Sequence, residues 1–289
     1  MNTTSALSFS AVLAQSARFA LQWRLLLLWV VVLLIPTIIM ALPLWQIISS
    51  QLNYSINSEA LAQHMNMNAI GDIFYAMSVN KMLLQEAGLG ALIFTLLLSP
   101  FLSGAIVSAA RAQSPLALGK LVHGGIAEYW RMFRMLVWAF IPLGIAGGIG
   151  AGLTHWADTY AETAILESNA DLAAHVALAV MLVLLVIADA SVDAGRAQFV
   201  ISTIRRSAIK AWWNGFLLVV RRPLTTLGFY VVLTLAGAVL VAVFGVVRMN
   251  SGSVHPFGFI AGLILTQLIV LSTAWMKSAR IFALAAASK

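Results

Sequence analysis

Two carboxylates one helical turn apart are the strongest candidates for chemistry in this chain. Asp189 and Asp193 are separated by four residues, which places them on one face of a helix, and Arg196 follows three residues later. A charged side chain at membrane depth costs about 2.5–3.5 kcal/mol, so it needs a partner. The pattern is typical either of a proton or cation relay or of an ion-pair clamp, and it favours the clamp because both carboxylates lie near the end of an apolar stretch. The other expected partners are loop arginines, namely Arg111, Arg131 and Arg134.

A second polar group surrounds a short acidic loop. His155 and Asp158 precede this loop, and Asp171 and His175 follow it at a spacing of one helical turn. Imidazole and carboxylate together suit a borderline metal such as zinc. The sequence has no HExxH motif, however, and the loop leaves the relative geometry of the two pairs free. We therefore expect neither a metal nor another cofactor, and we interpret the four side chains as polar groups at a membrane boundary.

The remaining polar residues do not form a catalytic set. The chain has no cysteine, no GxSxG motif and no GxxxxGK[ST] motif, which excludes thiolate chemistry and leaves no evident nucleophile or phosphate loop. Gln267 is the most deeply placed polar side chain of the last apolar stretch, where it predicts an interhelical hydrogen bond or a substrate contact. We expect the protein not to be an enzyme.

The elements that position these residues are transmembrane helices. Of the 289 residues, 61% are hydrophobic and only 9% are charged, whereas a soluble domain has about 25% charged residues. A helix needs about 20 mostly apolar residues to cross a bilayer. The first apolar stretch of this chain is longer than the apolar region of a cleaved signal peptide, so we expect it to be a span. A longer outer loop at 48–87 predicts two short helices, the second of them capped by Asp72. Six stretches reach the required length: 25–47, 88–110, 135–155, 172–192, 223–247 and 257–276.

The basic residues predict the orientation of the chain. Fifteen of the 17 lysines and arginines fall in the terminal segments and in alternate loops, and two fall in the others. The positive-inside rule then places both termini in the cytoplasm. Because the basic residues alternate with apolar spans, the net charge of +7 does not indicate nucleic-acid binding.

The segments before the first, third and fifth spans have polar residues at helical spacing. In each segment the polar stripe lies opposite apolar and aromatic residues, which is typical of helices lying in the membrane interface. The predicted fold is therefore all-α, a polytopic membrane protein of six spans in three hairpins, each hairpin preceded by a cytoplasmic in-plane amphipathic helix. The polar stripes contain Gln15, Arg18 and Gln22; Lys120, His123, Arg131 and Arg134; and Arg205, Arg206, Lys210 and Asn214.

Small residues and prolines mark sites inside the spans. Gly144, Gly148 and Gly152 recur every four residues in the third span, which predicts close helix packing within the chain or, alternatively, a homodimer face. Gly104 and Ser108 form a smaller version in the second span. Interior prolines kink helices and can build sites at the midplane of transporters. They occur in the first three spans as Pro36, Pro100 and Pro142.

The chain also resembles a known family. The resemblance covers roughly residues 90–285 and is to a family of uncharacterised bacterial six-span membrane proteins, similar in layout to the membrane domain of some glycerophosphodiester phosphodiesterases. This chain lacks the soluble catalytic domain of those enzymes, so the resemblance implies architecture and a bacterial inner membrane, and no reaction. The segments that carry it are SPFLSGAIVSAARAQSPLALGKLVHGGIAEYWRMFRMLVWAF, DASVDAGRAQFV and AWWNGFLLVVRRPLTTLGFYVVL.

These observations favour a non-enzymatic scaffold or accessory subunit. Its expected partners are anionic membrane lipids and a protein in the same membrane, with an oligomer as a further option. The alternative is a carrier or channel for a small apolar or amphiphilic solute, suggested by the kinked spans and Gln267. The residues expected to bind lipid or a partner are Arg205, Arg206, Lys210, Arg221, Arg222, Arg131 and Arg134.

Overall fold

A computed structural model describes residues 8–52, 67–112, 114–164, 166–202, 207–251 and 256–288. Every regular element among these residues is an α-helix, which confirms the all-α class. The helices are α1 (Phe9–Phe19), α2 (Trp23–Leu52), α3 (Met67–Val79), α4 (Lys81–Arg111), α5 (Leu118–Thr163), α6 (Glu167–Ile201), α7 (Ala208–Arg221), α8 (Pro223–Asn250) and α9 (Pro256–Ala287).

Six of these helices are long and apolar enough to cross a membrane. They are α2, α4, α5, α6, α8 and α9, and the mean hydropathy of their most apolar windows lies between 1.8 and 3.0. Each contains one of the six predicted spans. At a rise of about 1.5 Å per residue, even the shortest of them exceeds the roughly 30 Å of a hydrocarbon core. The chain is therefore a multi-pass membrane protein by length and composition.

The prediction of a separate amphipathic helix before the third span is wrong. Residues Leu118–Thr163 form one continuous helix, so the basic segment is the first part of α5. No proline or capping residue interrupts the helical pattern between this segment and the span. Gly124 and Gly125 do not break it either, because both pack against α4. By contrast α1 and α7 are separate helices, and each begins at a serine cap, Ser8 and Ser207 respectively.

The predicted outer loop is shorter than expected at both ends. The helix α2 continues to Leu52 and α4 begins at Lys81, so the spans extend into the predicted 48–87 segment. Asp72 lies inside α3 and does not cap a helix. The break comes instead at Asn80, whose side-chain amide donates to the carbonyl of Ala76. Most of the other predicted short helix falls outside the described residues.

Long-range hydrogen bonds gather one end of the helices together. Arg24 at the start of α2 donates to the carbonyl of Leu116, and Trp275 in α9 donates to the carbonyl of Ala17 in α1. We call this end, which contains Arg24, Arg111 and Arg280, the basic end. Most of the buried apolar residues lie in this half of the helices, while α2 with α4, α5 with α6, and α8 with α9 also pack along each other.

Small residues let α4 and α5 approach closely at the basic end. A Cβ added to Gly104 would lie 3.0 Å from the carbonyl oxygen of Gly125, and one added to Gly124 would collide with Ser108. The predicted small-residue pair of the second span, Gly104 and Ser108, is thus a contact with α5. This contact holds the start of α5 in place, and with it the charged residues described below.

Candidate functional site

The two predicted carboxylates belong to a buried charge cluster at the basic end. Asp193 and Asp189 lie one turn apart on α6, and both face Arg280 of α9. Only 1% of Asp193 and 4% of Arg280 is exposed. Arg280 lies seven residues before the end of α9, which places the pair about 10 Å from the helix end. The cluster is therefore inside the helical bundle and not at its rim.

Asp193 is the centre of this cluster. One of its oxygens, Oδ1, accepts a hydrogen bond from Nη1 of Arg196 at 2.7 Å. The other oxygen, Oδ2, lies 2.9 Å from Nη2 of Arg280, an ion pair without good hydrogen-bond alignment. Two guanidinium groups thus share one buried carboxylate, which offsets the cost of burying these charges.

Asp189 forms the outer part of the cluster. Its Oδ2 accepts a hydrogen bond from the hydroxyl of Tyr230 in α8 at 2.5 Å and lies 3.5 Å from Nη1 of Arg280. Arg280 also stacks over the Tyr230 ring at 4.6 Å and donates to the hydroxyl of Thr234. The side chain of Asp189 is 36% exposed, in contrast to that of Asp193. The cluster therefore joins α6, α8 and α9.

The ion-pair partners in this cluster differ from the predicted ones. Arg196 does pair with Asp193, but the residue that joins the carboxylates to another helix is Arg280. Arg280 was missed because the predicted sixth span ends at residue 276, which assigns Arg280 to a cytoplasmic tail. The apolar run that follows it, from Ile281 to Ala285, is the signal that the helix continues.

Arg111 and Arg131 belong to a second cluster. Arg111 Nη1 donates to Glu128 Oε1 at 2.6 Å, and Arg131 Nη1 lies 3.1 Å from Glu128 Oε2. Arg111 also donates through Nε and Nη2 to the carbonyl of Phe199 near the end of α6. Glu128 was not predicted. Since it is the only acidic residue between 111 and 134, its spacing from Arg131 could have identified it. This cluster ties α4, α5 and α6 together.

The residues predicted to bind lipid are distributed around the basic end. Arg134, Lys210, Arg221 and Arg222 are exposed, and Arg131 is half-buried beside Glu128. Arg221 and Arg222 line a polar cleft of about 400 Å³ between α6, α7 and the end of α9. Arg205 and Arg206 lie outside the described residues.

The predicted glycine stripe does not pack against any other described part of the chain. A Cβ added to Gly144, Gly148 or Gly152 would meet no described atom within 4 Å. The face of α5 that packs on α6 contains Ala146 and Gly150 instead, and a Cβ on Gly150 would collide with Met181. Gly148 lies two residues from each of these, so it points to the opposite side of the helix.

The other predicted polar residues do not form a common site. His155, Asp158, Asp171 and His175 are all exposed, and Nδ1 of His175 lies 2.6 Å from the backbone carbonyl of Asp171, not from its carboxylate. Among the described residues, no group of three or more histidine or acidic side chains is placed to hold a metal. Gln267 is half-buried in α9 and makes no hydrogen bond with another described residue.

No protein-family model, curated protein or solved structure matches this chain. The six-span resemblance of the sequence therefore remains an expectation. A functional assignment has to come from the chemistry of the basic end.

Proposed function

We propose that this chain is a non-enzymatic scaffold or accessory subunit of a bacterial inner membrane, and that its basic end binds anionic lipid headgroups. The six apolar helices place the chain in a membrane. The two charge clusters join helices to one another, which is the role expected of a rigid scaffold. Nothing in the sequence supplies an acid, a base and a nucleophile in one place.

The proposed topology follows from the charge distribution. The basic end faces the cytoplasm because the terminal segments and alternate loops, to which its described cations belong, hold 15 of the 17 lysines and arginines, and both termini lie on that side. Three hairpins, α2 with α4, α5 with α6 and α8 with α9, cross the membrane. The short helices α1 and α7 lie at the level of the headgroups, where their cations reach phosphate and their apolar faces pack on the long helices.

One observation carries the proposal: at the basic end the carboxylates are all in ion pairs, whereas many of the cations are not. Its three acidic residues, Glu128, Asp189 and Asp193, are all paired with arginines inside the bundle. Six of the described cations at this end are exposed, and none of these six makes an ion pair with a described residue. Each contributes about 1 kcal/mol of attraction near an anionic membrane surface. We call them the basic band, and they are Arg18, Lys120, Arg134, Lys210, Arg221 and Arg222.

Neutralising part of the basic band is expected to lower the enrichment of anionic lipid. The double substitution Lys210→Gln and Arg221→Gln removes about 2 kcal/mol of attraction, equivalent to a loss of up to about 30-fold in apparent affinity. The measurement is mass spectrometry of the lipids that remain with the protein in native lipid particles, relative to the bulk membrane.

Two matched controls define the outcome. The charge-conserving pair Lys210→Arg and Arg221→Lys should keep the enrichment, and Lys81→Gln, at the other end of the bundle, should leave it unchanged. Wild-type enrichment in the double glutamine variant, with the same thermal stability, would contradict the proposal. The same experiment detects a protein partner, because an accessory subunit co-purifies in a fixed ratio with that partner.

A carrier for a small amphiphile is the second candidate, and Gln267 favours it. An amide in an apolar helix with no described hydrogen-bond partner is costly unless water or a ligand contacts it. If the protein is a carrier, a small molecule should co-purify with the wild type and be lost in Gln267→Leu, while Thr266→Val one residue away retains it. A Gln267→Leu variant with an unchanged set of bound molecules would exclude this role for the amide.

A further inference from the structure

A groove of about 540 Å³ opens between α5 and the start of α7. Its walls are largely apolar, and two of the exposed wall residues, Val137 and Ile141, are 54% and 48% accessible. Both lie one turn apart along α5, so they form a strip running along the helix. The remaining lining residues are Phe133, Arg134, Trp138, Ser207, Ala208 and Ile209.

The groove offers hydrogen-bond donors that are not used by other described residues. Arg134 uses Nε to bond the carbonyl of Trp130, and its two Nη atoms bond no described residue. Trp138 also lines the groove, but its indole N–H is buried, has no acceptor among the described residues and is not exposed to a headgroup. At the start of α7, the backbone N–H groups of Ala208 and Ile209 have no intrahelical acceptor. None of the described residues that line the groove carries a carboxylate.

Along α5 a charged group is followed by apolar residues, which matches the headgroup and acyl chain of a lipid. Arg134 is nearest the basic end, and Ile141 lies seven residues further into the span, about 10 Å deeper. A guanidinium pairs well with phosphate, and the positive end of a helix dipole adds to this attraction. A ligand with its phosphate at Arg134 could thus place an apolar chain along the strip that leads deeper into the membrane.

We propose that this groove is a discrete site for one anionic phospholipid, with the phosphate at Arg134 and the start of α7 and one acyl chain along Val137 and Ile141. The inference rests on the proposed function, since it turns a general preference for anionic lipid into one defined site. Donors without a carboxylate favour an anionic headgroup over a cationic one. The apolar strip favours a phospholipid over a soluble phosphate.

The test is native mass spectrometry of the delipidated full-length protein titrated with phosphatidylglycerol, with phosphatidylcholine and a free fatty acid as comparison probes. The wild type should bind one phosphatidylglycerol more tightly than any later copy. Arg134→Gln should weaken this first binding event at least tenfold, whereas Arg134→Lys should weaken it less. Val137→Trp, which fills the groove, should abolish it. Phosphatidylglycerol with brominated chains should quench the part of the wild-type tryptophan emission that comes from Trp138. This part is identified by comparison with Trp138→Phe.

Arg134 is itself a member of the basic band, so the controls separate this site from the other five members of the band. Arg18→Gln and Arg221→Gln remove the same charge outside the groove and should leave the first binding event unchanged. Equal binding of the first lipid by wild type, Arg134→Gln and Val137→Trp would overturn the groove while leaving band-dependent enrichment intact. Equal affinity for phosphatidylcholine, or tighter binding of the fatty acid, would also overturn it. Loss of the first lipid in Arg134→Gln and Val137→Trp, with no effect of the Lys210→Gln and Arg221→Gln pair on enrichment, would instead contradict the proposed function.

Discussion

Asp193→Asn is expected to lower the free energy of unfolding by about 3–5 kcal/mol, the cost of removing one partner from a buried ion pair. The substitution keeps the shape of the side chain and removes the charge shared by Arg196 and Arg280. Arg280 is 4% exposed and would keep only the 3.5 Å contact with Asp189 as an ion pair. Because an arginine does not lose its proton in proteins, it would remain a buried charge with an incomplete partner.

The same cluster predicts an asymmetry between its two members. Arg280→Gln should cost less than Asp193→Asn, because Asp193 keeps the 2.7 Å bond from Arg196. The double variant should lose less free energy of unfolding than the two single variants lose together, since it removes both charges of the pair. Thermal or denaturant unfolding in one detergent measures all three, with the exposed Arg18→Gln as the control for charge loss. A loss below about 1 kcal/mol for Asp193→Asn would show that the cluster does not hold the helices together.

The six long helices could be predicted because their signal is local. Each span needs about 20 consecutive apolar residues, and no contact with another helix is required to recognise it. The boundaries were less predictable. The helix α9 runs past Lys277 and Arg280, which a hydropathy argument treats as the end of a span. These cations are tolerated because other helices supply carboxylate and aromatic partners, information that is absent from the local sequence.

The same reasoning explains the mixed outcome for the candidate residues. The spacing of Asp189, Asp193 and Arg196 is a property of one helix, and these three do occur in one cluster. The partner from another helix depends on how α6 and α9 are rotated about their axes. A pattern of small residues shows that a helix can be approached closely, but not which face is used. Gly148 and Gly150 differ in this respect although both lie in the same glycine-rich segment.

Gly215→Ala is expected to separate α7 from α6 and to cost about 1–3 kcal/mol, the usual range for overpacking. A Cβ at this position would collide with the backbone nitrogen of Gly195, and it would lie 2.7 Å from the carbonyl carbon of Ala194. Since these are backbone atoms, no change of side-chain rotamer relieves the collision. The hydrogen bond from Trp212 to Ser191, now 3.0 Å, would lengthen as the helices move apart. Thermal unfolding and tryptophan emission measure the two effects.

Gly148→Ala is the matched control, because the added methyl group meets no described atom within 4 Å. In an exposed helix interior this change is expected to stabilise the protein by up to about 1 kcal/mol through helix propensity. Equal destabilisation by both substitutions would mean that the glycines act through the backbone alone and that close contact between α6 and α7 is not required.

If Gly148 lies on a homodimer face, Gly148→Ala should shift the oligomeric state in detergent while the stability of the monomer is kept. Gly215→Ala should lower the stability of the monomer itself, because its collision lies within one chain. Sedimentation together with thermal unfolding therefore separates a contact between two helices of one chain from a contact between two copies.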